Sequence, residues 1–166
     1  MFKVGIIGPE ASGKSTLARY LAKRYHALLV SEYARTYVEH KGTTDVSYDE
    51  LCEIARYQIH EMTAINSQSS DDCEVVLFDT ELIVTKVWFE YAFGCVPEWL
   101  NEALRAYPMD VYLLTSPDLP WRQDGARYNG SDAMRQELFI RYEQEIQALD
   151  IPYYIITHIS AKMVAE

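Results

Sequence analysis

The sequence has 166 residues, of which 49% are hydrophobic and 24% are charged, so it is long enough for one globular domain with its own core. The formal net charge of −10 argues against a nucleic-acid surface, and no run of about 18 apolar residues is present to span a membrane. Because the first residues already read as a strand, we expect a cytoplasmic protein without a signal peptide. The three cysteines lack metal-ligand spacing, which favours free thiols in a reducing compartment.

The first predicted element is a short apolar strand, residues 2–7, which leads into a loop that contains two glycines. Apolar residues at helical spacing follow this loop from Leu17 to Tyr25 and predict a helix. Between strand and helix the sequence fits the phosphate-loop pattern of Gly, four residues, Gly, Lys and Ser. The residues of this pattern, with the threonine that follows it, are Gly8, Pro9, Glu10, Ala11, Ser12, Gly13, Lys14, Ser15 and Thr16.

The residue types in this loop explain how it would hold a nucleoside triphosphate. Gly8 and Gly13 permit backbone conformations that a side chain would forbid, so successive N–H groups turn inward around a phosphate. Lys14 reaches the β- and γ-phosphates, and the Ser15 hydroxyl is placed to coordinate Mg²⁺. The alternative is a chance glycine turn before a helix, but strand and helix lie on the sides that the motif requires.

A second short strand, residues 27–30, ends at the segment Ser-Glu-Tyr-Ala-Arg. Ligands of open α/β sheets gather beyond the carboxyl ends of strands, so Glu32 and Arg35 are candidate site residues. A surface salt bridge is the alternative explanation for these two residues.

Residues 36–46 are polar and predicted to be irregular. Ser47 and Glu50 then form a capping-box pattern, which predicts a helix that continues to about Ile65.

The third predicted strand, residues 74–79, holds four apolar residues that are closed by Asp79. This pattern is typical of the Walker B strand, whose carboxylate holds Mg²⁺ directly or through water. Capping of the next helix is the alternative role for Asp79. Residues 80–94 predict a helix rich in aromatic side chains, most of which we assign to the core. One or two of them near this end of the sheet could stack on a flat ring.

Residues 97–104 predict a shorter helix, residues 110–114 a fourth strand and residues 152–156 a fifth, with a short helix after it. An amphipathic helix lies between these strands, with Arg135 near its start. Before that helix, residues 117–127 hold two prolines, a glycine and two arginines, which predicts a loop that closes over the site as a lid. The order of elements predicts an α/β fold, a single P-loop domain over residues 1–166 with a five-stranded parallel sheet flanked by helices.

The residues also limit the class of P-loop protein. A GTPase switch needs a guanine-reading Asn-Lys-x-Asp motif, which the sequence lacks. An AAA-type machine would normally be longer and would carry further sensor elements. A compact chain with an arginine-bearing loop suits a small-molecule kinase, in which Arg122 and Arg127 supply charge for the leaving group while the loop excludes water.

Several of these segments resemble one family, the nicotinamide-riboside kinases, and in particular the kinase half of the bifunctional bacterial NadR-type regulators of NAD synthesis. The resemblance runs from about residue 2 to residue 156. The adenylyltransferase and DNA-binding portions of the bifunctional proteins have no counterpart in these 166 residues. Besides the phosphate loop, the segments that carry it are Glu32-Tyr33-Ala34-Arg35, Asp79-Thr80-Glu81 with Thr85-Lys86-Val87-Trp88, and Pro120-Trp121 with Asp124-Gly125-Ala126-Arg127.

The resemblance implies a nucleoside-monophosphate-kinase-like fold and transfer of the ATP γ-phosphoryl group to the 5′-hydroxyl of nicotinamide riboside, which gives nicotinamide mononucleotide. That substrate carries a pyridinium cation and a diol, and an acidic, aromatic pocket suits both. The weak general base is Glu32 or Asp79, and we favour Glu32 for the acceptor hydroxyl and Asp79 for Mg²⁺.

We expect the aromatic side chains of Tyr33 and Trp88 to face the ring of the acceptor, with core packing as the alternative. Further contacts with the acceptor are assigned to Arg35, Trp121 and Asp124. Two other functions stay open. One is a kinase of another nucleoside or of a vitamin alcohol, and the other is a regulatory domain that senses ATP without turnover.

Overall fold

The computed structural model describes residues 1–67, 74–120 and 131–157. Within these ranges the strands form one sheet in the order β2-β3-β1-β4-β5, and every pairing is parallel. The predicted α/β fold with a five-stranded parallel sheet is therefore confirmed. The strands are β1 (Phe2–Ile7), β2 (Leu28–Val30), β3 (Val75–Asp79), β4 (Val111–Thr115) and β5 (Tyr153–Ile156).

Helices connect these strands as the sequence predicts, with one addition. The capping box at the start of the long third helix is confirmed: the Ser47 N–H donates to Glu50 Oε2 at 2.8 Å, and the Glu50 N–H donates to Ser47 Oγ at 3.3 Å. Most of the predicted lid loop and the predicted final helix lie outside the described residues. The described helices are α1 (Lys14–Tyr25), α2 (Tyr33–Lys41), α3 (Tyr48–Ser67), α4 (Leu82–Phe93), α5 (Glu98–Ala106) and α6 (Asp132–Ala148).

The sheet has apolar side chains on both faces, so its central strand is buried on both sides. On one face Val4, Ile6 and Leu77 pack with Ala18 of α1. On the other face Ile7 belongs to the larger core that the sheet forms with α3, α4, α5 and α6. Packing from both sides fixes the carboxyl end of β1, from which the phosphate loop departs. Among the helices that the structure describes, none combines the length and the apolar composition needed to cross a membrane.

The expectation of irregular structure at residues 36–46 is wrong, because α2 occupies most of that segment. None of the α2 side chains is fully buried, but Tyr33, Ala34 and Tyr37 are partly buried against the core. The helix also contacts α3, where the ring of Tyr33 stacks on the ring of Tyr57 with centroids 3.6 Å apart. Gly42, at φ +75°, ends the helix in a left-handed conformation.

Candidate functional site

The loop between β1 and α1 uses backbone conformations that most residues avoid. Gly8, Ala11 and Gly13 have φ values of +153°, +56° and +87°. At Gly8 a side chain would also clash with β4. A Cβ there would lie 2.6 Å from the carbonyl oxygen of Thr115 and would overlap the Thr115 hydroxyl. The glycines thus allow β1, β4 and the loop to meet at one point.

Two side chains of the loop bind its own backbone. The Ser12 hydroxyl donates to the Pro9 carbonyl oxygen at 2.7 Å and lies 2.5 Å from Thr115 Oγ1, which ties the loop to β4. Lys14 Nζ donates to the same Pro9 carbonyl at 2.9 Å. Ser12 is therefore a buried anchor whose side chain supports the loop, while the cation of Lys14 lies within the loop as the motif predicts.

A cavity of about 600 Å³ extends from this loop to the helices beyond β2 and β3. Residues 10–16 of the loop form one end, together with Arg19 of α1. The other end is formed by side chains of α2, α3 and α4 and by the connection between α2 and α3. Of the two aromatic candidates, Trp88 lines this cavity, whereas the Tyr33 ring is stacked on Tyr57, so the geometry favours packing for Tyr33.

Glu32 lies in the cavity wall, directly before α2. Burial raises the pKa of its carboxyl group above the usual value, the nearby charge of Lys14 lowers it, and the charge of Asp79 raises it again. Arg35 also lines the cavity and forms an ion pair with Glu39 at 3.1 Å. The structure thus brings Glu32, Lys14 and Asp79 into electrostatic range of one another, although they come from three separate segments.

Asp79 stands at the carboxyl end of β3, in register with Ile6 of β1. Its side chain is 5% exposed, and its Oδ1 has no hydrogen-bond partner among the described residues. The capping alternative for Asp79 is wrong, because Glu81 caps α4 by accepting a hydrogen bond from the Ile83 N–H at 3.0 Å. A buried carboxylate oxygen without a partner is therefore left beside the phosphate loop.

The donor set around Asp79 fits Mg²⁺. This ion prefers oxygen ligands in an octahedron, takes one or two of them from the protein and completes its shell with water and substrate phosphates. The Asp79 carboxylate and the Ser15 hydroxyl, which stands in the first turn of α1, are such ligands. No cluster of three or more acidic, histidine or cysteine side chains that could hold a metal ion occurs in the described part of the chain.

The sequence analysis missed three features of the site. Arg19 lines the cavity, and its spacing from Ser15 and Thr16 on one helix face could have revealed it. The connection at residues 44–46 also lines the cavity, but its composition gives no signal. The full burial of Arg135 is likewise invisible in sequence. The candidates Trp121, Arg122, Asp124 and Arg127 lie outside the described residues.

Comparisons with known proteins agree with this geometry. The model of a family described as AAA domain matches residues 3–162. The AAA class was disfavoured from chain length, yet the matching family bears that name. The chain is also similar to the trifunctional NAD biosynthesis/regulator protein NadR of Escherichia coli (strain K12), with 29% identity over 137 residues. That match covers 81% of this chain and 33% of the relative, so the chain spans about a third of the length of the curated relative.

Solved structures share the fold. A NadR protein in complex with NR has a TM-score of 0.75 and 21% identity over 93% of this chain and 43% of its own. A NadR protein in complex with NAD and AMP-PNP has a TM-score of 0.76 and 21% identity over 99% of this chain and 48% of its own. A deoxyadenosine kinase from M. mycoides has a TM-score of 0.64 and 13% identity, and covers 99% of this chain and 95% of its own. The predicted resemblance to NadR proteins is thus confirmed.

Proposed function

Because the chain belongs to the AAA-domain family whose model spans residues 3–162, we propose that it is a P-loop kinase that uses ATP and Mg²⁺ to phosphorylate nicotinamide riboside. The observation that carries the proposal is the single cavity in which a phosphate loop, the carboxylate of Glu32 and the aromatic ring of Trp88 meet. The phosphate loop in this cavity and the fold that the chain shares with a solved deoxyadenosine kinase support a kinase. The choice of acceptor is supported by the similarity to NadR, one structure of which contains NR, the usual abbreviation for nicotinamide riboside.

Phosphoryl transfer requires alignment of the reacting oxygens and neutralisation of charge more than covalent chemistry. In the proposed mechanism the N–H groups of residues 10–15 and the cation of Lys14 hold the triphosphate. Asp79 and Ser15 would hold Mg²⁺, which when bound would supply positive charge to neutralise the triphosphate. The two predicted lid arginines, Arg122 and Arg127, complete this neutralisation as the loop closes.

The acceptor would lie between the loop and α4. Glu32 is placed to orient the 5′-hydroxyl in line with the γ-phosphorus and to accept its proton late in the transfer. A carboxyl group whose pKa is raised by burial is a better proton acceptor than an ordinary one, and the nearby charge of Lys14 offsets part of that rise. Trp88 lines the same cavity, and its aromatic ring is the group that we propose for contact with the pyridinium cation. We propose a cytoplasmic site of action, where the substrates of NAD salvage are found.

The proposal is tested by incubating the protein with ATP, Mg²⁺ and a panel of nucleosides and vitamin alcohols while ADP release is measured. We expect nicotinamide riboside to be the preferred acceptor, with nicotinamide mononucleotide identified by mass spectrometry. Equal turnover of neutral nucleosides such as uridine would contradict the acceptor while leaving a kinase. Tight ATP binding without ADP release on any acceptor would favour a sensing domain.

A further inference from the structure

One arginine that the proposed mechanism does not use lies behind the phosphate loop. Arg135, in the first turn of α6, is 1% exposed and is among the largest fully buried side chains of the described residues. Its guanidinium group donates to the Glu10 carbonyl oxygen at 3.1 Å, to the Leu119 carbonyl oxygen at 2.7 Å and to Asp132 Oδ1 at 3.2 Å. Arg135 thus joins α6, the phosphate loop and the segment that follows β4.

The hydrogen bond to Glu10 has a consequence on the opposite side of the peptide group. A trans peptide is planar, so the carbonyl of Glu10 and the N–H of Ala11 point in opposite directions. Residues 10–16 line the cavity, whereas Arg135 is not one of the described residues that line it. A donor behind the loop that holds the Glu10 carbonyl therefore turns the Ala11 N–H towards the cavity.

This peptide orientation needs support because of the conformation that follows it. Ala11 has φ +56°, in the left-handed region that is unfavourable for a residue with a side chain. The preceding peptide is held in the same manner, since the Pro9 carbonyl accepts hydrogen bonds from Ser12 and Lys14. Arg135 supplies the corresponding donor for the next peptide along the loop.

The charge of Arg135 also favours an anion. Its ionic partner among the described residues is Asp132, whose side chain is 91% exposed and therefore largely screened by water. The other two acceptors are neutral carbonyl groups. A buried cation with weak compensation generates a positive potential at the loop in front of it.

From these observations we propose that Arg135 is a positioning residue of the phosphate site, which fixes the Glu10–Ala11 peptide so that its N–H faces the bound phosphate. The inference rests on the proposed function, because it deepens the account of the triphosphate site. The ligand recognised at this site is the condensed phosphate chain of the nucleotide, whatever its base and whatever the acceptor. Arg135 also binds the carbonyl of Leu119, in the described first part of the predicted lid loop, and so links that segment to the phosphate loop.

The test compares Arg135→Gln and Arg135→Lys with the matched variant Arg141→Gln. Arg141 lies on the same helix but forms an exposed ion pair with Glu137 at 2.8 Å. Calorimetry measures the affinity for inorganic tripolyphosphate and for AMP-PNP, and steady-state assays measure KM for ATP and for the acceptor. For Arg135→Gln we expect both affinities to fall, and KM for ATP to rise, by at least about tenfold, with acceptor KM unchanged and Arg141→Gln like the wild type. Arg135→Lys keeps the charge but lacks the planar fork whose separate nitrogens reach the two carbonyls, so its affinities should lie between those of the wild type and Arg135→Gln.

A second substitution separates peptide orientation from loss of general stability. Ala11→Gly removes the side-chain penalty of the left-handed conformation. In the Arg135→Gln background it should therefore recover part of the tripolyphosphate affinity, even where the unfolding midpoint stays low. If Arg135→Gln does not fold, the same comparison is made in the Arg135→Lys background.

Each outcome decides the inference. Wild-type affinity for tripolyphosphate in the folded Arg135 variants would overturn it while leaving the proposed kinase intact. An equal loss for Arg141→Gln, or no recovery with Ala11→Gly, would assign Arg135 to stability alone. A wild-type protein that binds neither tripolyphosphate nor AMP-PNP would overturn the proposed function itself.

Discussion

The two ends of the cavity are built from different parts of the polypeptide. At the phosphate end the main chain forms the binding surface: positive φ values at Gly8, Ala11 and Gly13 turn the loop inward, and β4 touches its start. At the acceptor end, side chains from three helices form the wall, and Glu32 and Trp88 are the polar and aromatic groups that matter for the proposal. The first end is one continuous segment, whereas the second is assembled from distant ones.

This difference reflects the chemistry that each end recognises. A triphosphate is the same in every kinase of this fold, so a fixed set of backbone N–H groups and one lysine can bind it. An acceptor differs from kinase to kinase, and its recognition depends on side chains that can be exchanged without altering the sheet. Substitutions at the phosphate end should therefore affect every acceptor equally, while substitutions at the acceptor end should change which acceptor is used.

The largest effect is expected for Lys14→Ala. This substitution removes the point charge from the transferring group, and we expect phosphoryl transfer to fall by about 10³-fold or more with every acceptor, because charge neutralisation is the main contribution to this chemistry. ADP release measures the effect, and circular dichroism should show an unchanged fold. Lys23→Ala, in the exposed last turn of the same helix, is the matched control. Near-wild-type transfer by the Lys14 variant would contradict the assignment of the phosphate end.

A loss of about 10²–10³-fold in kcat is expected for Glu32→Gln, with ATP affinity unchanged, because the variant keeps the shape of the side chain and loses the proton acceptor. Burial raises the pKa of Glu32, so the carboxyl stays protonated to a higher pH than an exposed glutamate. Since the base acts in its deprotonated form, the rate of the wild type should rise as pH increases through that raised pKa. The Gln variant should lose this rise of rate with pH, and Glu102→Gln, at an exposed position of α5, should keep it.

A loss of about tenfold to 10²-fold is expected for Asp79→Asn, together with a higher Mg²⁺ concentration for half-maximal rate, because the amide is a weaker ligand than the carboxylate. The Mg²⁺ titration of the ADP-release rate checks this expectation, and Asp49→Asn, an exposed residue of α3, serves as the control. A change in thermal stability with an unaltered Mg²⁺ requirement would remove Asp79 from the metal site.

The sequence was sufficient for the phosphate end because its information is local. Glycine positions, Lys14 and the strand before them are read directly from the chain, and the Walker B pattern located Asp79. Sequence reasoning could not decide between the metal and capping roles of Asp79, since the cap belongs to Glu81, two residues later, and depends on where α4 begins. That distinction appears only when the helix boundary is known.

The acceptor end was harder to predict because its structure depends on contacts between distant segments. The helix α2 is short and has no fully buried side chain, and it packs through partly buried residues such as Tyr33, whose ring stacks on Tyr57, so its apolar pattern is weak in the sequence. For the same reason Tyr33 and Trp88 are equally good aromatic candidates in the sequence. Only the path of α2 and α4 places one of them in the cavity and the other against α3.

The smallest effect, and the one that distinguishes the two ends most directly, is expected for Trp88→Leu. An aromatic face over a cationic ring contributes about 1–2 kcal/mol when it is desolvated, so its loss should raise the acceptor KM about tenfold for nicotinamide riboside. The KM for ATP should not change, because Trp88 is no part of the phosphate loop. The reduced, uncharged dihydro form of the substrate should respond less to the substitution, since it has no positive charge to interact with the ring.

Tyr33→Leu is the control, because it also removes an aromatic ring but one that is stacked on Tyr57. It should lower the unfolding midpoint and leave the acceptor KM within about twofold. If both variants alter the acceptor KM equally, the aromatic side chains act only through packing. Trp88 would then have no specific role in recognising the acceptor.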